Sequence, residues 1–211
     1  KMSWWADVAS VTGISADGKA WHFHPLSLIT NKVSDSRELR VRAFLRMIRV
    51  GEGTEGINGY EKLFGGSSFI KDHGKTFDDH PQIKIKKSGY TSSAAGAYQV
   101  MGYTWNDDSV IKIRKKLNIK NFSPLSQDIF CLGLLKYKVR GDALDLIVSN
   151  KIQEAIESSS YEWASLPPGR YGQPIKSMDE ALAYYEKFLN EEILGTSDLQ
   201  LTPGFLKELG Y

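Results

Sequence analysis

The chain has 211 residues and a mass of 23.7 kDa, which is enough to bury one sizeable hydrophobic core. Apolar residues make up 41% of it and charged residues 25%, a balance that excludes a wholly disordered chain. The formal net charge is only +2, and the two basic runs, KIKK and KIRKKL, are each typical of a solvated face. We therefore expect no nucleic-acid partner, because nucleic-acid binders usually concentrate their basic residues in one stripe.

The first 33 residues are rich in aromatic side chains and poorly periodic, so we predict an N-terminal extension or linker there. His22 and His24 are spaced to share one face of a strand, but only His73 and His80 remain as partners. No cysteine pattern accompanies them, so we predict no metal site and no cofactor. No apolar run is long enough to span a membrane, and the N-terminus lacks the pattern of a signal peptide. We therefore expect no membrane partner.

Residues 34–211 carry clearer periodicity and are predicted to form a second domain. Asp35 and Glu38 have the spacing of a capping box, and apolar residues then recur at helical spacing until Gly51 and Gly53 end the helix. The stretch GINGYEKLFGGSSFI predicts a small hairpin with Asn-Gly and Gly-Gly turns. The polar stretch from residue 71 to residue 91 predicts a long loop or irregular sheet.

The rest of the chain is predicted to be mostly helical. One helix is predicted to start in SSAAGAYQVMGYTW and the next in DDSVIKIRKKL. In FSPLSQDIFCLGLLKYK, Ser123 is placed as N-cap and Pro124 at the first helical position. One or two helices follow in GDALDLIVSNKIQEAIESSSYEWASL, and Ser177 opens the last one with a second capping box. The fold class is therefore α+β, with many helices around a small β-hairpin lobe.

Two glutamates stand at positions suited to acid–base chemistry. Glu52 lies at the end of the first helix, between two glycines, and Glu61 follows nine residues later in the predicted hairpin. Partial desolvation at such a helix end raises the pKa of a carboxyl group, which prepares it to protonate a glycosidic oxygen. Two carboxylates facing each other across a cleft are the groups that glycoside hydrolysis uses. Among 25 acidic residues, however, such a pair taken alone is more often a pair of surface groups.

A series of stretches from about Arg42 to about Phe188 resembles the lambda-type phage lysozymes, lytic transglycosylases that act on peptidoglycan. The most specific stretches, in the order that the family shows, are EGT, GAYQ, FSPLSQD and WASLPPGRYGQ. The resemblance implies a lysozyme-like α+β fold, mostly helical, with a cleft between the helices and the β-hairpin lobe. Residues 34–211 are accordingly predicted to be a lysozyme-like catalytic domain.

The resemblance also implies roles for individual residues. Glu52, within GEGT, corresponds to the family's single catalytic glutamate, while Tyr98, Gln99, Tyr171 and Gln173 correspond to residues that bind the substrate. In that family the muramoyl 6-hydroxyl closes a 1,6-anhydro ring. The glutamate serves first as acid and then as base, so no second carboxylate is needed.

The segment between EGT and GY is much shorter here than in lambda-type lysozymes, and it leaves Glu61 nine residues after Glu52. That spacing is similar to the one in another class of phage lysozyme, true hydrolases that use a glutamate and a hairpin aspartate. We therefore predict a muramidase that cleaves the β-1,4 bond between N-acetylmuramic acid and N-acetylglucosamine, with Glu52 as general acid and Glu61 as second carboxylate. The alternatives are a lytic transglycosylase that uses Glu52 alone and a non-catalytic peptidoglycan-binding module.

The expected partner is the glycan strand of peptidoglycan, bound by a monomer. The action is expected in the periplasm or on the cell wall of a target bacterium, reached through a secretion apparatus or after lysis. The N-terminal stretch WWADV and the following WHFHP also look like the region before the lysozyme module of a type VI secretion antibacterial effector. For such an effector, an immunity protein would be a further partner.

Overall fold

The computed structural model describes residues 35–140, 142–169 and 177–211. The α+β class is confirmed, because about half of these residues are helical and they carry one small antiparallel sheet. The predicted extension, residues 1–33, lies outside them, so the domain boundary stays a prediction. The elements are, in chain order, α1 (Ser36–Glu52), a 3-10 helix (Ile57–Glu61), β1 (Ile85–Lys87), β2 (Tyr90–Ser92), α2 (Gly102–Trp105), α3 (Asp108–Lys116), α4 (Pro124–Tyr137), α5 (Ala143–Val148), α6 (Ile152–Ser159), α7 (Met178–Ile193) and α8 (Phe205–Glu208).

Helix α1 begins as predicted and extends to Glu52. Asp35 caps its first turn through the side chain, and Gly53 ends it in the left-handed conformation, with φ of 66°. Gly51 lies inside the helix rather than at its end. A Cβ atom at Gly51 would lie 2.5 Å from the Oγ atom of Ser165, so the glycine leaves room for another segment to approach the helix.

One face of α1 is charged and yet buried. Its four residues recur at spacings of four, four and three, and each is at most 9% exposed. They are Glu38, Arg42, Arg46 and Arg49. Helix α1 packs against α5 and α7, and each residue of its charged face contacts the C-terminal segment (residues 196–211).

The contacts of Glu38 differ from the capping-box prediction. Its carboxylate accepts hydrogen bonds from the backbone amides of Gly204, at 2.9 Å and 3.1 Å, and Leu206, at 3.4 Å. Glu38 therefore accepts hydrogen bonds from the N-terminus of α8 instead of from the N-terminus of its own helix.

The small lobe (residues 62–100) contains the sheet, but not where the hairpin was predicted. Residues 57–61 form a 3-10 helix, so the placement of Glu61 in a hairpin strand is wrong. The predicted turn at Gly65-Gly66 is present, with a β-bridge between Lys62 and Ser68 across it. The two-stranded sheet of β1 and β2 comes later, within the stretch predicted as loop or irregular sheet.

An aromatic cluster joins the small lobe to the helices. The indole Nε1 of Trp105 donates to Asp79 at 2.7 Å, and the imidazole Nε2 of His80 lies 2.8 Å from the carbonyl oxygen of Val100. The rings of His80 and Trp105 both lie against Phe122, with centroids about 5 Å apart. Burial lowers the pKa of His80, so the imidazole is neutral near pH 7. These contacts are those of a structural histidine.

The later helices follow the predictions except at the GAYQ stretch. Residues 95–100 form a tight turn closed by a β-bridge between Ala95 and Val100, so the helix predicted in this stretch begins only at Gly102, as α2. The N-caps at Ser123 and Ser177 are confirmed, since each side chain accepts a backbone hydrogen bond. Within the described ranges, no helix has the length and apolar character to cross a bilayer.

Candidate active site

Glu52 is the last residue of α1 and is partly exposed to solvent. The hydroxyl of Ser165 donates to its Oε1 atom at 2.6 Å. Burial raises the pKa of the Glu52 carboxyl to about 6, while the hydrogen bond from Ser165 acts in the opposite direction by stabilising the carboxylate. The carboxyl therefore holds a proton at a pH where ordinary glutamates are ionised, as a general acid must.

Ser165 is a site residue that the sequence analysis missed. It lies in the WASLPPGRYGQ stretch, two residues after Trp163, which is 4% exposed and belongs to the hydrophobic core. The indole Nε1 of Trp163 donates to the carbonyl oxygen of Tyr98 at 3.2 Å and so fixes this stretch against the small lobe. The motif that contains Ser165 indicates the family, but no periodicity or spacing distinguishes this serine from the others in the sequence.

The chain after Glu52 makes a post-helical turn (residues 53–56) that is anchored to the interior. Thr54 is 1% exposed, and its hydroxyl donates to the carbonyl oxygen of Ala97 in the small lobe. Gly59 packs directly on this turn, because a Cβ atom there would lie 1.8 Å from the carbonyl oxygen of Thr54. The backbone beside Glu52 is therefore held from two sides.

Glu61 ends the 3-10 helix, and its side chain is 13% exposed. Its Oε1 atom lies 2.9 Å from the Nζ atom of Lys71. The next residue, Lys62, donates from Nζ to the carbonyl oxygen of Gly53 at 2.9 Å. The segments that carry Glu52 and Glu61 therefore adjoin, while the carboxylate of Glu61 is engaged by a lysine.

Tyr98 and Gln99 are neighbours with different environments. Tyr98 is 2% exposed, and its hydroxyl donates to Asp128 at 2.7 Å, so the predicted sugar contact by this side chain does not agree with its burial. Gln99 is partly exposed and has a φ of 46°, a left-handed conformation that non-glycine residues rarely adopt. Its Nε2 atom donates to the carbonyl oxygen of Gly96 at 3.0 Å. Gln99 stays a predicted substrate-binding residue.

Tyr171 and Gln173 lie outside the described residues, and their substrate-binding roles stay predictions. His22 and His24 lie outside them as well. In the part of the chain that is described, no three His, Cys, Asp or Glu side chains are grouped so as to hold a metal ion.

The FSPLSQD stretch supplies a buried amide that connects three segments around the site. Gln127 is 1% exposed, and its Oε1 atom accepts from the backbone amide of Ala97 at 2.8 Å. Its Nε2 atom donates to the carbonyl oxygens of Tyr60, at 3.0 Å, and Phe122, at 2.8 Å. One side chain on α4 therefore fixes the 3-10 helix, the small lobe and the N-terminus of α4 relative to one another.

The neighbouring Asp128 is fully buried and accepts hydrogen bonds from three residues. The hydroxyls of Tyr60, at 2.9 Å, and Tyr98, at 2.7 Å, and the backbone amide of Gln200, at 2.7 Å, all donate to it. Burial raises the pKa of Asp128 to about 6, although the hydrogen bonds oppose this. The FSPLSQD stretch therefore holds the segments around the site together.

Comparison with known proteins agrees with this architecture. Residues 42–191 match the model of the family described as Endolysin. This chain belongs to the endolysin family. It is 34% identical over 153 residues to the endolysin of Escherichia phage lambda, a match that spans 69% of this chain and 89% of that relative. Identity with the endolysin of Escherichia phage P2 is 31% over 156 residues, or 69% of this chain and 90% of that relative.

A solved structure supports the same assignment. Bacteriophage lambda lysozyme complexed with a chitohexasaccharide matches with a TM-score of 0.60 and 31% identity, over 71% of this chain and 94% of that one. The resemblance to lambda-type phage lysozymes and the lysozyme-like fold are thereby confirmed. As an endolysin-family member, the chain is an enzyme that acts on peptidoglycan, either a glycoside hydrolase or a lytic transglycosylase.

Proposed function

We propose that the chain is a lytic transglycosylase that cleaves the β-1,4 bond between N-acetylmuramic acid and N-acetylglucosamine, with Glu52 as its only acid and base. The observation that carries the proposal is the contrast between the two glutamates. Burial raises the pKa of Glu52 to about 6, and Ser165 orients its carboxyl. Glu61 instead lies 2.9 Å from the ammonium group of Lys71.

The transglycosylase reaction needs only one group to donate and accept the proton. Protonated Glu52 gives its proton to the glycosidic oxygen, the bond from that oxygen to C1 of the muramoyl residue breaks, and the N-acetylglucosamine end leaves with a free 4-hydroxyl. The 6-hydroxyl of the muramoyl residue then attacks its own C1 and returns a proton to the Glu52 carboxylate. The product carries a 1,6-anhydro ring, no water is consumed, and the enzyme regains its starting protonation state.

Ser165 and Gln99 have supporting roles in this scheme. The hydrogen bond from Ser165 to Oε1 holds the carboxyl in one orientation, so that its other oxygen carries the proton. The side-chain amide of Gln99 offers a donor and an acceptor to an N-acetyl group. Tyr171 and Gln173 are proposed to line the same substrate site. That lambda lysozyme was solved with a chitohexasaccharide supports a glycan strand as the ligand.

The second candidate is a hydrolase in which Glu61 assists Glu52. The contact of Lys62 with the carbonyl oxygen of Gly53 favours it, because this contact brings the segment of Glu61 against the chain that follows Glu52. Lys71 is 66% exposed, and solvent screening weakens an ion pair with such a residue, so a bound substrate can displace it. A released Glu61 would orient the attacking water.

Mass spectrometry of soluble muropeptides from purified peptidoglycan separates the two candidates. For the transglycosylase we expect products that end in 1,6-anhydro-muramic acid, each lighter by one water than the reducing form, and loss of all products in Glu52→Gln. Glu61→Gln and Lys71→Gln form a matched pair, since each breaks the same ion pair. Both should retain at least half of the activity. Reducing-end products that disappear only in Glu61→Gln would establish the hydrolase instead.

The biological setting follows from the same substrate. We place the action of the enzyme on the bacterial cell wall, in agreement with the endolysin relatives. Delivery as a type VI secretion effector and the existence of an immunity protein stay predictions.

A further inference from the structure

Arg49 is the most buried charged residue of α1, at 1% exposed, and it lies one turn before Glu52. Its guanidinium group donates to two backbone carbonyls of the post-helical turn. The Nη2 atom lies 3.0 Å from the oxygen of Thr54 and 2.5 Å from the oxygen of Gly56, and Nε lies 3.2 Å from the oxygen of Thr54. The carbonyl oxygens of Thr54 and Gly56 come after the end of α1, where no further helical N–H group is available to donate to them.

The other side of the same guanidinium group contacts the C-terminal segment. Its Nη1 atom forms an ion pair with Asp198 at 3.1 Å, and the ring of Tyr60 lies 4.7 Å from its centre. A cavity of about 260 Å³, lined by both of these charged residues and by Gly56, adjoins the pair. Arg49 thus connects the post-helical turn and the 3-10 helix to residue 198 of the C-terminal segment.

Only an arginine can make these contacts together. The planar guanidinium presents five donors in a fixed fork, whereas a lysine ammonium is a single point charge on a flexible stem. A lysine at position 49 can reach either the carbonyl oxygens or Asp198, but its geometry does not span both. The charge alone, which is also favourable at a helix C-terminus, would be preserved in that exchange.

We propose that Arg49 is a positioning residue for Glu52, which fixes the post-helical turn and thereby holds the carboxyl against Ser165. The connection runs through Gly53, the single left-handed residue between Glu52 and the pinned Thr54. If Thr54 is released, the last turn of α1 loosens and the carboxyl moves away from Ser165. The proposal rests on the proposed function, since Glu52 must be the reacting acid for its position to matter.

The test compares Arg49→Lys with Arg42→Lys. Arg42 is a matched control on the same charged face, because it is 9% exposed, donates to the carbonyl oxygen of Leu201 at 2.7 Å and lies 5.4 Å from the ring centre of Phe205. Its contacts all lie on the C-terminal segment, two turns away from Arg49. Thermal melting, kcat, KM and the pH profile of kcat are measured for both variants on soluble glycan strands.

We expect both variants to melt at lower temperature but only Arg49→Lys to lose kcat, by about tenfold to a hundredfold, with KM changed less than twofold. We also expect the high-pH limb of the kcat profile of Arg49→Lys to move to lower pH. A looser turn admits water to the Glu52 carboxyl, so its pKa falls back toward the ordinary value. Equal kcat and an equal limb in the two variants would overturn the proposal.

A second variant keeps the test decisive if Arg49→Lys does not fold. Asp198→Asn preserves the shape of the side chain and removes the charge that Arg49 meets, and a smaller shift in the same direction is expected. An unshifted limb in Asp198→Asn would count against the proposal. Failure of the proposed function is a different result, because the unmodified enzyme would then yield no anhydro products or Glu52→Gln would retain activity.

Discussion

At position 165 a single hydroxyl tunes the proton affinity of the reacting carboxyl. The hydrogen bond from Ser165 stabilises the charged form of Glu52, while burial stabilises the neutral form more strongly. The hydroxyl reaches Oε1 only because Gly51 has no side chain in its way. Two small residues from distant parts of the chain therefore set the pH range in which Glu52 can act as an acid.

Ser165→Ala should move the high-pH limb of kcat to higher pH. Removal of the donor leaves burial unopposed, so the pKa of Glu52 rises above about 6 and the acid form persists to higher pH. The maximal rate should fall several-fold because the carboxyl loses its orientation. Ser109→Ala is a suitable control, since Ser109 also donates to a carboxylate, that of Asp107, but on the exposed start of α3. A limb that stays in place or moves to lower pH would contradict this account of Ser165.

The role of Glu52 could be predicted from its own neighbourhood, and that of Ser165 could not. A glutamate at a helix end between glycines is a local pattern, and the EGT motif reinforces it. The contact between Ser165 and Glu52 spans 113 residues and has no signature in either stretch. Burial of the Tyr98 hydroxyl on Asp128 likewise depends on packing that an aromatic in a motif does not reveal.

At the scale of single elements, the charged face of α1 is a docking site for the C-terminal segment. Four ionic side chains along about three turns of the helix each contact this segment, so the segment stabilises the helix that carries Glu52. Arg46, for example, pairs with Asp198 of this segment at 3.2 Å. It also contacts α7, where it pairs with Glu191 at 2.5 Å and Glu192 at 3.1 Å and lies 4.3 Å from the ring centre of Phe188. Such a face is polar in sequence and interior in structure.

Glu38→Ala should reduce the free energy of unfolding by about 1–3 kcal/mol. The backbone amides of Gly204 and Leu206 would lose their acceptor in a partly buried place. Urea unfolding followed by circular dichroism measures the change, and kcat should stay within twofold because Glu38 lies at the opposite end of α1. Glu154→Ala serves as control, since Glu154 is 61% exposed and its pair with Lys151 is 4.0 Å long. Equal losses in the two variants would refute a supporting role for Glu38.

The helix caps and apolar stripes were predictable because they depend on residues three or four positions apart. The 3-10 helix that ends at Glu61 was not, since its Asn-Gly pair is typical of a hairpin turn. There the close packing of Gly59 on the carbonyl oxygen of Thr54 decides the backbone conformation. The GAYQ stretch reads as helical, but the bridge between Ala95 and Val100 closes it into a turn.

At the scale of the whole molecule, the helical part, the small lobe and the C-terminal segment meet at one buried carboxyl group. Asp128 on α4 accepts from Tyr60, Tyr98 and Gln200, which belong to three different segments. Fold class and family could be predicted from the order of the motifs, but this convergence could not. The motif FSPLSQD marks the position, whereas only the assembled fold shows that it binds the segments together.

Asp128→Asn should destabilise the protein by an amount that grows as the pH is lowered from 7 to 5. Burial raises the folded pKa of Asp128 to about 6, above its ordinary value of 3.8. The contribution of this group is therefore fully present below pH 3.8 and is lost as the pH rises through about 6. An asparagine does not titrate and cannot gain this contribution on acidification. The free energy of unfolding of the variant should therefore fall further below that of the unmodified protein, by roughly 1–3 kcal/mol.

Urea unfolding at several pH values checks this prediction. Comparison of the variant with the unmodified protein cancels the groups that titrate alike in both, among them His80 and Glu52. If the difference in free energy of unfolding between the two proteins stays constant, or becomes smaller on acidification, the folded pKa of Asp128 is not raised.

The backbone of Ala97 depends on two side chains from outside the small lobe. Its amide donates to Gln127 on α4, and its carbonyl accepts from Thr54 beside the end of α1. Exchange of this amide hydrogen with deuterium therefore requires that the small lobe part from α4, whereas amides in the exposed hairpin exchange by local fraying. The exchange rate at one residue would thus report how often the enzyme opens, in the free state and with a glycan bound.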